Sequence, residues 1–136
     1  MRYVKITLLL ALLSMIHSQE STSIPEWVMP GILATETKSY YGNTGQIRYV
    51  DKRRGSSGER GCFQMTQRAF DQVKKRGEQF WMIEQDTVFA AEMAWRYLHW
   101  LNKHYGHGDW GRVVEMYNAG PNNRSRAYLI RVKENS

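Results

Sequence analysis

The sequence predicts a mainly α single domain interrupted by a long substrate loop or a small β-hairpin. Three observations carry that reading. Apolar residues recur at helical spacing through most of the chain. Between about residues 40 and 60 that spacing stops, and Gly, Ser and basic residues take over. At 136 residues the chain is long enough for one hydrophobic core and short for two. Hydrophobic residues make up 42% and charged residues 24%, which excludes a disordered, highly charged polypeptide. Cys62 is the single cysteine, so no intrachain disulfide supports the fold and the core must do so.

Residues 1–18 read as a secretory signal peptide. Arg2 and Lys5 form a positive start, Ile6 to Ile16 is apolar, and Ser18 is a small residue at a cleavage position. The run falls short of the ~20 apolar residues a comfortable membrane span needs. An uncleaved membrane anchor is the alternative. The mature domain is then residues 19–136, exported to the periplasm or cell envelope. Without Arg2 and Lys5 the chain keeps 17 basic against 13 acidic residues, a net charge of +4. A moderately basic exported domain suits a polyanionic envelope. No basic helix or aromatic-basic ladder accompanies that charge, so nucleic acid is not an expected partner.

The first helix is expected from Ser23 as N-cap and Pro25 as its first residue, with Pro30 bending it and Glu36 ending it. Ile24, Trp27, Val28, Ile32 and Thr35 fall on one face. Residues 40–45 carry turn chemistry, and Gln46 to Asp51 alternate weakly, as a short strand does. Thr66 reads as the next N-cap, with Phe70 and Val73 inward and Gly77 as the stop. The longest helix is expected from Asp86 to about His104. It carries two apolar stripes, one through Val88, Ala94, Trp95 and Leu98, the other through Phe89, Met93, Tyr97 and Trp100. Apolar residues on both sides predict a central, buried helix. Asp109 caps a further helix ending at Gly120-Pro121, and a last helix over about 125–133 buries Tyr128, Leu129 and Val132.

Chemistry concentrates at Glu36. A carboxyl at the end of an apolar helix, ahead of polar Gly-rich sequence, has its stem in the core and its head at a loop. Partial desolvation raises its pKa and leaves a proton to give near neutrality. A solvated Glu at a helix end is the plainer alternative. Cys62 has no His or oxyanion donor near it in sequence and reads as a small buried apolar residue. His99, His104 and His107 lack a ligand pattern around them, so no metal is expected.

Three pieces stand in order: Ala34-Thr35-Glu36-Thr37, Gly61-Cys62-Phe63-Gln64-Met65-Thr66 and Met116-Tyr117-Asn118-Ala119-Gly120-Pro121. Together they resemble the lytic transglycosylase branch of the lysozyme-like superfamily, over about residues 24–132. The resemblance implies a lysozyme-like fold and cleavage of the β-1,4 bond between N-acetylmuramic acid and N-acetylglucosamine in peptidoglycan. It makes Glu36 the catalytic residue and Thr37, Ser39, Gln64, Tyr117 and Asn118 substrate-binding residues. Tyr117 is expected to bring its hydroxyl near Glu36. No cofactor or metal is implied, and a monomer is expected. The small size suits an enzyme that opens a local gap for an envelope-spanning secretion or conjugation apparatus, or a phage lysis protein.

Two departures bear on the reaction. Thr37 stands where Ser is usual and keeps the hydroxyl. Glu59 stands where small apolar residues are common, and Asp51 lies 15 residues after Glu36. Either carboxylate offers an alternative, a hydrolytic muramidase with a second acid group positioning water. A glycan-binding module without catalysis is a third reading, against which the presence of Glu36 counts.

Overall fold

In the computed structural model, which describes residues 23–136, the first helix α1 spans Val28–Thr37. The leader expected over residues 1–18 lies outside the described residues. Helix α1 starts later than Ser23 and Pro25 suggest. The Val28 amide closes a turn onto the Pro25 carbonyl at 3.1 Å, and Trp27 is the N-cap. Pro30 therefore sits in the first turn, where its missing N–H has no partner to lose. At the far end Lys38 adopts a left-handed conformation, φ 55°, and its amide closes the helix on the Ala34 carbonyl.

Two short strands follow, β1 (Tyr40–Tyr41) and β2 (Ile47–Arg48), paired antiparallel with Tyr40 opposite Arg48. Residues 49–59 run on as a loop. Helix α2 (Gln67–Val73) starts at Thr66, whose hydroxyl accepts from the Ala69 amide at 3.1 Å. It ends at Val73, before Gly77. A short helix α3 (Met82–Gln85) precedes α4 (Thr87–Leu101). Asp86 caps α4 through one carboxylate oxygen that accepts from the Val88 and Phe89 amides. Beyond Leu101 the chain widens into a π-helical turn over Asn102–Gly106. Helix α5 (Trp110–Ala119) is capped by Asp109, which accepts from the Arg112 amide at 3.0 Å, and α6 (Arg126–Asn135) closes the chain.

Helix α4 packs on α2 and α3 at one side and α5 at the other, while α6 packs on α5 and α1. Ala90, Met93, Ala94, Tyr97, Leu98 and Leu101 are its buried residues. Two members of its expected stripes face outward: Val88 is 77% and Trp95 48% exposed. Helices α2, α3 and α5 and the Asn102–Gly106 turn pack against this helix, and the first half of α4 keeps an open face at these two residues.

The α1–α6 contact is the most extensive between two elements among the described residues. Gly31 lies against Val132, so that a Cβ on Gly31 would fall onto the Val132 carbonyl oxygen. Lys133 lies over the Trp27 ring at 5.4 Å, and Asn135 donates to the Thr35 hydroxyl at 3.0 Å. Among the described residues no helix is long and apolar enough to cross a membrane.

Candidate active site

Glu36 occupies the penultimate position of α1 and reaches a cavity of about 330 Å3. Its neighbours there include Arg53, Glu59, Gln64, Tyr97, Tyr117 and Asn118. Burial raises the Glu36 pKa above its ordinary 4.5. The Tyr128 hydroxyl and the charges of Arg53 and Arg131 oppose that rise, and the charge of Glu59 adds to it. The net result is a carboxyl that holds its proton to higher pH than a solvated Glu.

The hydroxyl that reaches Glu36 comes from α6. Tyr128 donates to Glu36 Oε1 at 2.7 Å. The Tyr128 ring is buried under the Arg131 guanidinium, 5.8 Å from its centroid, so the phenol has little freedom to swing away. Tyr117 instead donates to the Phe63 carbonyl at 2.7 Å. Its ring lines the cavity and meets the Tyr97 ring at 5.9 Å, while its hydroxyl is spent on holding the Gly61–Met65 turn. Tyr128 reads in the sequence as one more periodic apolar residue of the last helix. Only the α1–α6 packing reveals its second role.

Thr37 and Ser39 are both 0% exposed. Thr37 Oγ1 lies 2.8 Å from the Cys62 carbonyl and 2.8 Å from Ser39 Oγ. Ser39 Oγ accepts from the Val50 amide at 2.9 Å, and the Thr37 carbonyl accepts from the Asp51 amide at 3.0 Å. These two hydroxyls lock the end of α1 to the hairpin and the Gly61–Met65 turn. They hold Glu36 in place and do not face the cavity, where substrate contacts were expected of them.

Gln64 lines the cavity in a left-handed conformation, φ 46°. Its Nε2 donates to the Arg53 carbonyl and the Gly61 carbonyl, each at 2.9 Å. With both amide protons used, only its carbonyl oxygen is left for a ligand. Gly61 earns its place through packing: at φ 78°, a Cβ would lie 2.8 Å from the Ile83 carbonyl oxygen. The neighbour that requires a glycine there is the α3 backbone. Asn118 lines the cavity and donates to the Ser125 hydroxyl at 2.9 Å, tying α5 to the start of α6.

The loop over the cavity is held by Glu84 of α3, which pairs with Arg54 at 3.1 Å and Arg60 at 3.5 Å. Arg53 donates to the Glu36 carbonyl and pairs with Asp51 at 3.6 Å. Asp51 does not line the cavity; Glu59 does. Cys62 is buried, and its thiol pKa is pushed up to about 12 by burial, which keeps it protonated and inert. Among the described residues no cluster of His, Cys, Asp and Glu forms a metal site.

The chain matches the family described as the transglycosylase SLT domain over residues 5–135. It belongs to that family. No curated protein and no solved structure matches it. The SLT domain explains the architecture as lysozyme-like, with mainly helical packing around a small two-stranded hairpin. It also makes the protein a lytic transglycosylase acting on peptidoglycan. The matched span begins at residue 5 and so includes most of the apolar N-terminal run.

Proposed function

We propose that this SLT domain cleaves the β-1,4 bond between N-acetylmuramic acid and N-acetylglucosamine with Glu36 acting first as acid and then as base. The observation that carries this reading is the half-buried Glu36 carboxyl, its pKa raised by burial and one oxygen held by Tyr128 at 2.7 Å. With Oε1 oriented by the phenol, Oε2 carries the proton toward the cavity. Glu36 gives that proton to the glycosidic oxygen as the bond to C1 breaks, and the substrate's own N-acetyl group stabilises the positive charge at C1. The ionised Glu36 then takes the proton of the muramic C6 hydroxyl, whose oxygen bonds to C1. The product is a 1,6-anhydro end, and no water is consumed.

The hydrolytic alternative needs a second carboxylate beside the bond. Asp51 is paired with Arg53 and does not itself line the cavity, which leaves Glu59 as the group to test. Glu36→Gln is expected to lower the clearing of purified sacculi by about 10²-fold or more, the range for a general acid. Glu59→Gln is expected to keep substantial activity. Mass spectrometry of the released muropeptides should show ends lighter by one water than reducing ends. Reducing muramic ends alone, or near-normal clearing by folded Glu36→Gln, would sink the assignment.

On the same reading residues 1–18 export the protein to the periplasm or cell envelope. There it acts as a monomer that opens the wall locally for an envelope-spanning secretion or conjugation apparatus. The basic start and apolar run of the leader support export. Intact mass of protein from the envelope fraction tests it, with a start near Gln19 expected and a full-length cytoplasmic product counting against it.

A further inference from the structure

The cavity at Glu36 continues into a second one of about 620 Å3, and the two share Thr66, Ala69, Tyr97, Tyr117 and Asn118. The far part has its own character. Tyr97 and Trp100 stack there, ring centroids 5.9 Å apart and 12° from parallel. Gln72 and Asn123 supply amides, and Arg68 is the only charged residue of its lining.

Three arginines line the joined cleft. Two are committed within the fold, Arg53 to Asp51 and the Glu36 carbonyl, Arg54 to Glu84. Arg68 has no carboxylate within ion-pair distance among the described residues, and its charge acts on the nearby Tyr97 hydroxyl. Neutral sugars ask for stacking faces and hydrogen bonds, which the aromatic rings and amides supply. An uncommitted guanidinium adds something else: a planar fork that fits a carboxylate. The sugar ring of an intact strand is uncharged, because the muramic lactyl carboxyl is bound up as an amide. Its carboxylates sit on the attached peptide.

We propose that the far cavity binds the peptide stem carried by a muramic acid of the substrate, with Arg68 pairing with one of its carboxylates. Gln72 lies in the same wall and is placed for the peptide groups of the stem, and Asn123, whose Nδ2 donates to the Ala119 carbonyl at 3.0 Å, adds its amide oxygen. The site makes the enzyme selective for strands that still carry stems. This inference rests on the peptidoglycan reading of the Glu36 site.

The test compares three soluble substrates: glycan strands with free stem carboxylates, the same strands with those carboxylates amidated, and strands stripped of their stems. The wild-type protein is expected to show a kcat/KM about tenfold higher on the free than on the amidated strands, as loss of a charge-assisted pair predicts. Arg68→Gln should bring that ratio near one, and Arg68→Lys should keep part of it. An unchanged ratio in Arg68→Gln, or no preference in the wild type, overturns the proposal. So does an equal effect of Arg68→Gln on stripped strands, which would move the ligand to the freed lactyl carboxylate. Binding of the three strand types to Glu36→Gln protein repeats the comparison without turnover. Missing anhydro ends would therefore count against the reaction at Glu36 while the stem preference is still read from binding.

Discussion

Tyr128 donates to a carboxyl that burial otherwise keeps protonated, so the two influences on Glu36 oppose each other. Removing the phenol removes the largest of the influences that lower the pKa. Tyr128→Phe should therefore shift the alkaline limb of the kcat/KM profile to higher pH and lower kcat by about tenfold, the scale of one charge-assisted hydrogen bond. A pH–rate profile checks both. Stability follows the same group with a definite sign. The folded pKa lies above 4.5, so between 4.5 and the folded value the folded state binds the proton more tightly than the unfolded chain. The stability Glu36 contributes is thus complete below about pH 4.5 and is lost as pH rises through the folded pKa. Glu36→Gln should raise Tm at pH 7, and the gain should vanish in acid; thermal melts at pH 4 and pH 7 decide it. The position of Glu36 at the end of α1 and its partial burial were legible in the sequence, because a carboxylate between an apolar helix and a polar loop is a local pattern. Tyr128 was not, since its contact spans 92 positions and its spacing is that of any core residue.

Helix starts set by a side-chain cap were legible: Thr66, Asp86 and Asp109 each accept the amide bonds their positions predict. The start of α1 was not, because Ser23 and Pro25 mimic a cap and first turn while the chain actually folds a separate turn before Val28. Helix α3 escaped because four residues are too few for a periodicity to register. The π-helical turn after α4 is likewise invisible to a 3.6-residue pattern, which simply runs on to His104. The Gly61–Met65 turn, by contrast, is written into its first residue. Gly61→Ala asks for a left-handed alanine and sets its Cβ against the Ile83 carbonyl. It should cost about 2 kcal/mol or more, since the left-handed backbone alone costs roughly 1–2. Urea titration should show the lowered midpoint, and activity should fall with it because the turn carries Gln64 and accepts from Tyr117 at Phe63.

The domain as a whole is a device for bringing α6 onto α1. Residue patterns told which faces are apolar but not which helices would meet, because pairing is decided by fit: glycine at position 31 lets Val132 come close. Gly31→Ala overfills that contact and should lose about 1–3 kcal/mol. It should also push Tyr128 away from Glu36 and reproduce the pH shift of Tyr128→Phe, although position 31 touches neither group's polar atoms; matched pH–rate profiles would show it. The same arrangement has a use. Asn122, Asn123 and Arg124 are exposed in the turn between α5 and α6. A cut there leaves Glu36 on one fragment and the Tyr128 phenol that donates to it on the other. Supplied separately, the fragments would clear sacculi only to the extent that they found each other, so that wall lysis becomes a visible count of reassembly.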